Sequence, residues 1–175
     1  FLIKRVVDVL ASEFKGLRNF ATLSPVPGFR PWLERALADG EAGLLLPGER
    51  RAVKAVADGA RGAKGALKTL VGEAERWHQD AAVCEALRPP LMRLCARYLT
   101  QERRPDGKAM DPVAHFHLTN GARMERLNWM ADTSPNGLSQ SVGIMINYLY
   151  KLGEIDGNHE AYTGAGKIAA SSAIR

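Results

Sequence analysis

Ser24, within Leu23-Ser24-Pro25-Val26-Pro27-Gly28, and the pair His115 and His117 are the side chains best suited to proton chemistry. A hydroxyl can donate and accept a hydrogen bond, and an imidazole exchanges a proton near neutrality because its ordinary pKa is about 6.5. Ser24 lacks the G-x-S-x-G turn that exposes a hydrolase nucleophile, so an acyl-enzyme is not indicated. By itself it reads as a serine capping the turn after a strand. On a strand, the H-x-H spacing would put both imidazoles on one face and suggest zinc. On a helix the two diverge, and the Asp111-Pro112 start and Asn120-Gly121 stop favour a helix between them. No metal site is therefore expected, and one of the two histidines at most faces a given pocket. An isolated helical histidine more often serves structure than chemistry. Trp129 and Tyr148 read as core, whereas Tyr150, at a strand end, suits either core or site. The stretch Tyr162-Thr163-Gly164-Ala165-Gly166-Lys167 lacks the Walker spacing and reads as a loop entering a helix.

These residues need elements to hold them. Leu2, Val6, Val9 and Leu10 share one side of a helix over 1–14, away from Lys4, Asp8, Ser12 and Lys15. Residues 19–23 suit a strand that Pro25 and Pro27 stop, which puts Ser24 at its end. Pro31 opens a short helix and Gly40 closes it. From Pro47 to Gln101, alanine, leucine and charged residues recur at helical spacing and predict three or four helices, punctuated by Gly59, Gly62, Gly72 and Pro89-Pro90. Turn residues make 101–108 a loop. Strands over 123–130 and 143–150, joined through a turn at Pro135, Asn136 and Gly137, form an antiparallel pair, and the alanine-rich tail 160–175 is expected to be helical.

With 175 residues, 46% apolar and 25% charged, the chain suits one soluble domain. It begins at Phe1 inside a predicted helix without an initiator Met, so a piece of a longer protein is expected. No apolar run approaches the roughly 20 residues that span a bilayer, and membrane insertion is not expected. Cys84 and Cys95 match neither a metal-ligand nor a disulfide framework, which fits a reduced, intracellular chain. A formal charge of +5 favours an anionic partner. The basic cluster Arg50, Arg51, Lys54, Arg61, Lys64 and Lys68 has no aromatic residue between its members to stack on bases, so it reads as a solvated helical face rather than a nucleic-acid site. A phosphorylated small molecule accounts for modest basicity as well.

Taken together, Leu23 to Phe29, Pro90 to Ala96, Asp111 to Ala122 and Asn128 to Asp132 resemble, in order and spacing, the malonyl-CoA decarboxylase family. The opening Phe1 to Val7 and the late Asn147-Tyr148-x-Tyr150 extend the resemblance over essentially the whole chain. It implies an α+β fold, part of a mixed sheet flanked by helices like that of the GCN5-related N-acetyltransferases, with a helical insertion over about 47–101. The chain would be the C-terminal part of a catalytic domain, with the loop that holds the coenzyme A pyrophosphate upstream of residue 1. Ser24, His117 and Tyr150 are the implied catalytic residues, and Ser24, Pro25 and His117 the implied substrate contacts; His115 is not a matching position. The expected substrate is malonyl-CoA, split to acetyl-CoA and CO2 without a further cofactor or metal, in a homo-oligomer of a bacterial cytoplasm. A coenzyme A-dependent N-acyltransferase and a helical interaction module with a basic face are the competing readings.

Overall fold

A computed structural model describes residues 2–57, 62–72 and 76–174. Phe1, Gly59, Arg61 and Arg175 lie outside the described residues, as does the side chain of Lys64. The elements run α1 (Leu2–Glu13), β1 (Phe20–Pro25), α2 (Phe29–Ala38), α3 (Pro47–Val56), α4 (Gly62–Gly72), a 3-10 turn (Trp77–Gln79), α5 (Ala81–Gln101), α6 (Pro112–Thr119), β2 (Arg123–Asn128), α7 (Pro135–Ser141), β3 (Met145–Tyr150) and α8 (Ile155–Ala165). The architecture is α+β, as expected.

The three strands form one antiparallel sheet in the order β1-β3-β2. The expected mixed sheet is represented among the described residues by these strands and one parallel bridge, Met124 to Ala170. On β1, Ser24 lies opposite Ile146, Thr22 opposite Tyr148 and Phe20 opposite Tyr150, so the three pairs share one face of the sheet. Ile146 and Tyr148 in turn face Leu127 and Met124 of β2. Met124, Ile146, Tyr148 and Tyr150 on that face are all buried.

Four local expectations are corrected. Among the described side chains of α1 the buried one is Val7, while Val6 and Val9 point to solvent, because the core lies against the Ile3–Val7 side of the helix. Pro89-Pro90 does not break the chain of helices but sits inside the 21-residue α5. Each internal proline costs on the order of 3 kcal/mol. Leu87, Leu91, Leu94 and Cys95 are fully buried around the pair, and at roughly 1.5–3 kcal/mol per large side chain their burial offsets that cost. The Pro135-Asn136-Gly137 turn is instead the first turn of α7, with Pro135 at its start and the Ser134 hydroxyl accepting from the Gly137 amide. Lastly, the tail is not one helix over 160–175. α8 starts earlier and ends at Gly166, whose φ of 65° closes it, and the chain then runs irregularly to a bridge at Ala170.

Candidate active site

α6 owes its place to Asp111. Its carboxylate Oδ1 accepts from the Val113 and Ala114 amides at 3.0 Å, Pro112 fills the first helical position, and Gly121 (φ 81°) follows the stop at Asn120. This short helix presents His117 to the buried face of the sheet and turns His115 elsewhere. His115 Nδ1 lies 2.7 Å from the Tyr162 hydroxyl of α8, and burial, with the nearby Arg104, lowers its pKa. The two histidines thus diverge.

His117 meets three strand residues. Its Nε2 is 3.1 Å from Ser24 Oγ, its Nδ1 is 2.6 Å from the Tyr150 hydroxyl, and its ring stacks on Tyr148 with centroids 4.2 Å apart at 16°. Ser24 Oγ also donates to Thr22 Oγ1 at 3.1 Å, two residues back on the same face of β1. A hydrogen-bonded chain therefore runs Tyr150, His117, Ser24, Thr22. The residues expected at the site, Ser24, His117 and Tyr150, come together across 93 residues of sequence between serine and histidine. Pro25, the other expected contact, is exposed beside them at the end of β1.

Ser24 and His117 each retain 6% exposure, and Tyr150 retains 1%. Burial pushes the imidazole down to about 4, so at neutral pH the ring is uncharged. The same burial raises the Tyr150 phenol above its ordinary value, which keeps it a donor. Neutral imidazole has one N–H and one lone pair. With the single Ser24 proton given to Thr22, one arrangement satisfies the chain: Tyr150 donates to Nδ1 and Nε2–H donates to Ser24.

Two participants escape sequence reading. Thr22 differs little from any strand threonine, although its i, i+2 relation to Ser24 places both hydroxyls on one face. Tyr148 reads as core and is fully buried, yet its ring forms the floor beneath His117, and its hydroxyl has no partner among the described residues. The spacing Asn147-Tyr148-x-Tyr150 carries the signal, because it sets both tyrosines on one side of a strand.

The sequence model for the malonyl-CoA decarboxylase C-terminal domain matches residues 1–175. The mitochondrial malonyl-CoA decarboxylase of Mus musculus is 44% identical over 179 residues, taking in 99% of this chain and 36% of the relative. That of Anser anser anser is 40% identical over 178 residues, with 99% and 34% covered. Among solved structures, malonyl-CoA decarboxylase from Rhodopseudomonas palustris superposes with a TM-score of 0.84 at 44% identity, over 100% of this chain and 39% of that one. The Agrobacterium vitis enzyme gives 0.82 at 41% identity, over 99% and 39%. The chain thus spans about a third of the length of these curated relatives.

Proposed function

The chain belongs to the malonyl-CoA decarboxylase family, and on that premise we propose that it carries the reacting centre of an enzyme that converts malonyl-CoA to acetyl-CoA and CO2. The observation that carries this reading is the contact of Ser24 with one nitrogen of His117 and of Tyr150 with the other, among side chains that are all buried.

Decarboxylation breaks the bond between Cα and the carboxylate carbon. The electron pair passes into the thioester carbonyl as an enolate, CO2 departs, and one proton added at Cα completes acetyl-CoA. The thioester itself delocalises the charge, so the reading needs no further cofactor. What the protein supplies is orientation, exclusion of water and a proton. Ser24 holds the malonyl group by hydrogen bonding, with Pro25 bounding the pocket at the strand end. His117 delivers the proton to Cα, and Tyr150 orients the ring and stands behind it as the next donor.

The depressed pKa of His117 fits this sequence of events. An ordinary histidine value near 6.5 is the simplest rationale for a proton donor, but here the ring is neutral until substrate enters. A malonyl carboxylate brought into the pocket favours imidazolium, because an opposite charge within about 4–6 Å stabilises the charged form in a poorly solvated site. The ring then takes up a proton as the substrate binds and holds it when CO2 leaves.

In this reading residues 47–101 are a helical insertion beside the catalytic sheet, and the enzyme works as a homo-oligomer in a bacterial cytoplasm, where Cys84 and Cys95 stay free thiols. The test is CO2 release from malonyl-CoA alone, with no acyl acceptor. We expect His117→Gln to lower kcat about 100-fold to 10,000-fold and to change KM little. Undiminished turnover in that variant would remove His117 from the reaction. Acyl transfer to an added amine without CO2 release would favour the N-acyltransferase instead.

A further inference from the structure

Asp111 is 1% exposed, and its two carboxylate oxygens serve different elements. Oδ1 caps α6 through the Val113 and Ala114 amides, six residues before His117. Oδ2 accepts from the amide of Gly28 at 3.2 Å, four residues after Ser24, where β1 turns into α2. The Tyr98 hydroxyl of α5 lies beside this carboxyl at Gly28 and acts to lower its pKa. It lies so close to Gly28 that a Cβ there would overlap it. A tie thus runs from the turn that follows the serine to the start of the helix that carries the histidine.

Capping alone does not require this arrangement. Asp80 caps α5 in the same way, with Oδ1 accepting from Ala82 and Val83, and its side chain ties no second element among the described residues. Serine or asparagine would cap α6 as well as aspartate does. Burial makes the carboxylate costly, and desolvation raises its pKa even against three backbone amides. We propose that Asp111 is a positioning residue for the decarboxylation: by joining the Gly28 amide to the α6 N-terminus through one carboxylate, it sets the separation of Ser24 from His117. The inference rests on the catalytic reading above for its effect on rate, and on geometry alone for its effect on distance.

The experiment uses the full-length enzyme and two variants that keep the cap on α6 but lose the tie. Asp111→Asn offers one oxygen to α6 and turns its amide N–H toward the Gly28 N–H, and Asp111→Ser is too short to reach Gly28. Asp80→Asn serves as the capping control. Nitrogen-15 resonances of the His117 ring report its hydrogen bonds, and kcat and KM are measured for malonyl-CoA. The expected result is that either Asp111 variant shifts the His117 ring nitrogens toward their values in Ser24→Ala. The kcat should fall about 10- to 100-fold, the loss associated with small misplacement, with KM within about 2-fold, while Asp80→Asn matches wild type. Should one variant fail to fold, the other still decides.

Ring resonances identical to wild type in a folded Asp111 variant would overturn the inference, and so would a kcat loss equalled by Asp80→Asn. A shifted ring with unchanged kcat, in an enzyme that His117→Gln disables, would also overturn it. If His117→Gln is itself fully active, it is the catalytic role of His117 that fails, and the ring resonances still decide whether Asp111 sets the distance.

Discussion

Burial alone depresses the His117 imidazole to about 4, and that has a thermodynamic consequence separate from any reaction. Above about pH 6.5 the ring is neutral in both folded and unfolded chains, and its titration contributes nothing to stability. As the pH falls from about 6.5 toward 4, the unfolded chain binds a proton that the folded chain refuses, so stability is lost across that window. Below it the folded ring protonates too and the loss levels off. One pKa unit corresponds to about 1.4 kcal/mol, so going from pH 7 to pH 5 should cost ~2 kcal/mol from this group. His117→Gln keeps a hydrogen-bonding side chain without a titrating ring. Urea unfolding at pH 7 and pH 5 should therefore show wild type losing ~2 kcal/mol more than the variant. Equal losses would mean that the ring titrates as it does in water. His115 titrates in the same direction, but its contribution is common to both proteins and cancels in the comparison.

At the scale of elements, α6 is held at both ends, and its C-terminal stop is as demanding as its start. Gly121 has a φ of 81°, and a Cβ there would overlap the backbone carbonyl of Ile155, where α8 begins. Gly121→Ala combines left-handed backbone strain, worth about 1–3 kcal/mol, with an overlap against main chain that has little room to move. We expect a loss of about 2–4 kcal/mol in urea unfolding, whereas alanine at the exposed Gly48, which has open space around it, should stay within about 0.5 kcal/mol. Comparable small effects at both positions would contradict the packing of α6 on α8. This helix was legible in advance because its punctuation is local: an aspartate, a proline, an asparagine and a glycine, each acting on its own neighbours. Ser24 at a strand end was legible for the same reason. Pro89-Pro90 misled because the burial that offsets two missing amides comes from residues distant in sequence. Pro135 to Gly137 misled because proline serves a turn and the first turn of a helix alike. The floor under His117 was invisible because nothing in a strand tyrosine says which helix will stack on it.

Over the whole molecule, one apolar cluster runs from Val7 on α1 to Ile174 near the end of the described chain. α5 is its spine. Leu91, Leu94 and Cys95 are fully buried on it, and its Tyr98 ring packs against Trp32 and Phe29 of α2 at 5.5 and 6.1 Å. Tyr98 also reaches the Asp111 carboxyl, so the helical span and the sheet that bears Ser24 share both an apolar core and a polar bridge. Among the described residues this core is one cluster that takes in both helices and sheet. Unfolding should be a single transition, with far-UV circular dichroism and tryptophan fluorescence giving the same urea midpoint. Trp32 and Trp77 report from the helical part, and Trp129, 6.0 Å from Trp77, reports from the end of β2. Leu94→Ala removes a fully buried side chain from the middle of the spine and should cost about 2–5 kcal/mol, moving both probes together. If the two midpoints moved apart, the chain would not unfold as one unit, and the separation of Ser24 from His117 need not depend on the packing of α5.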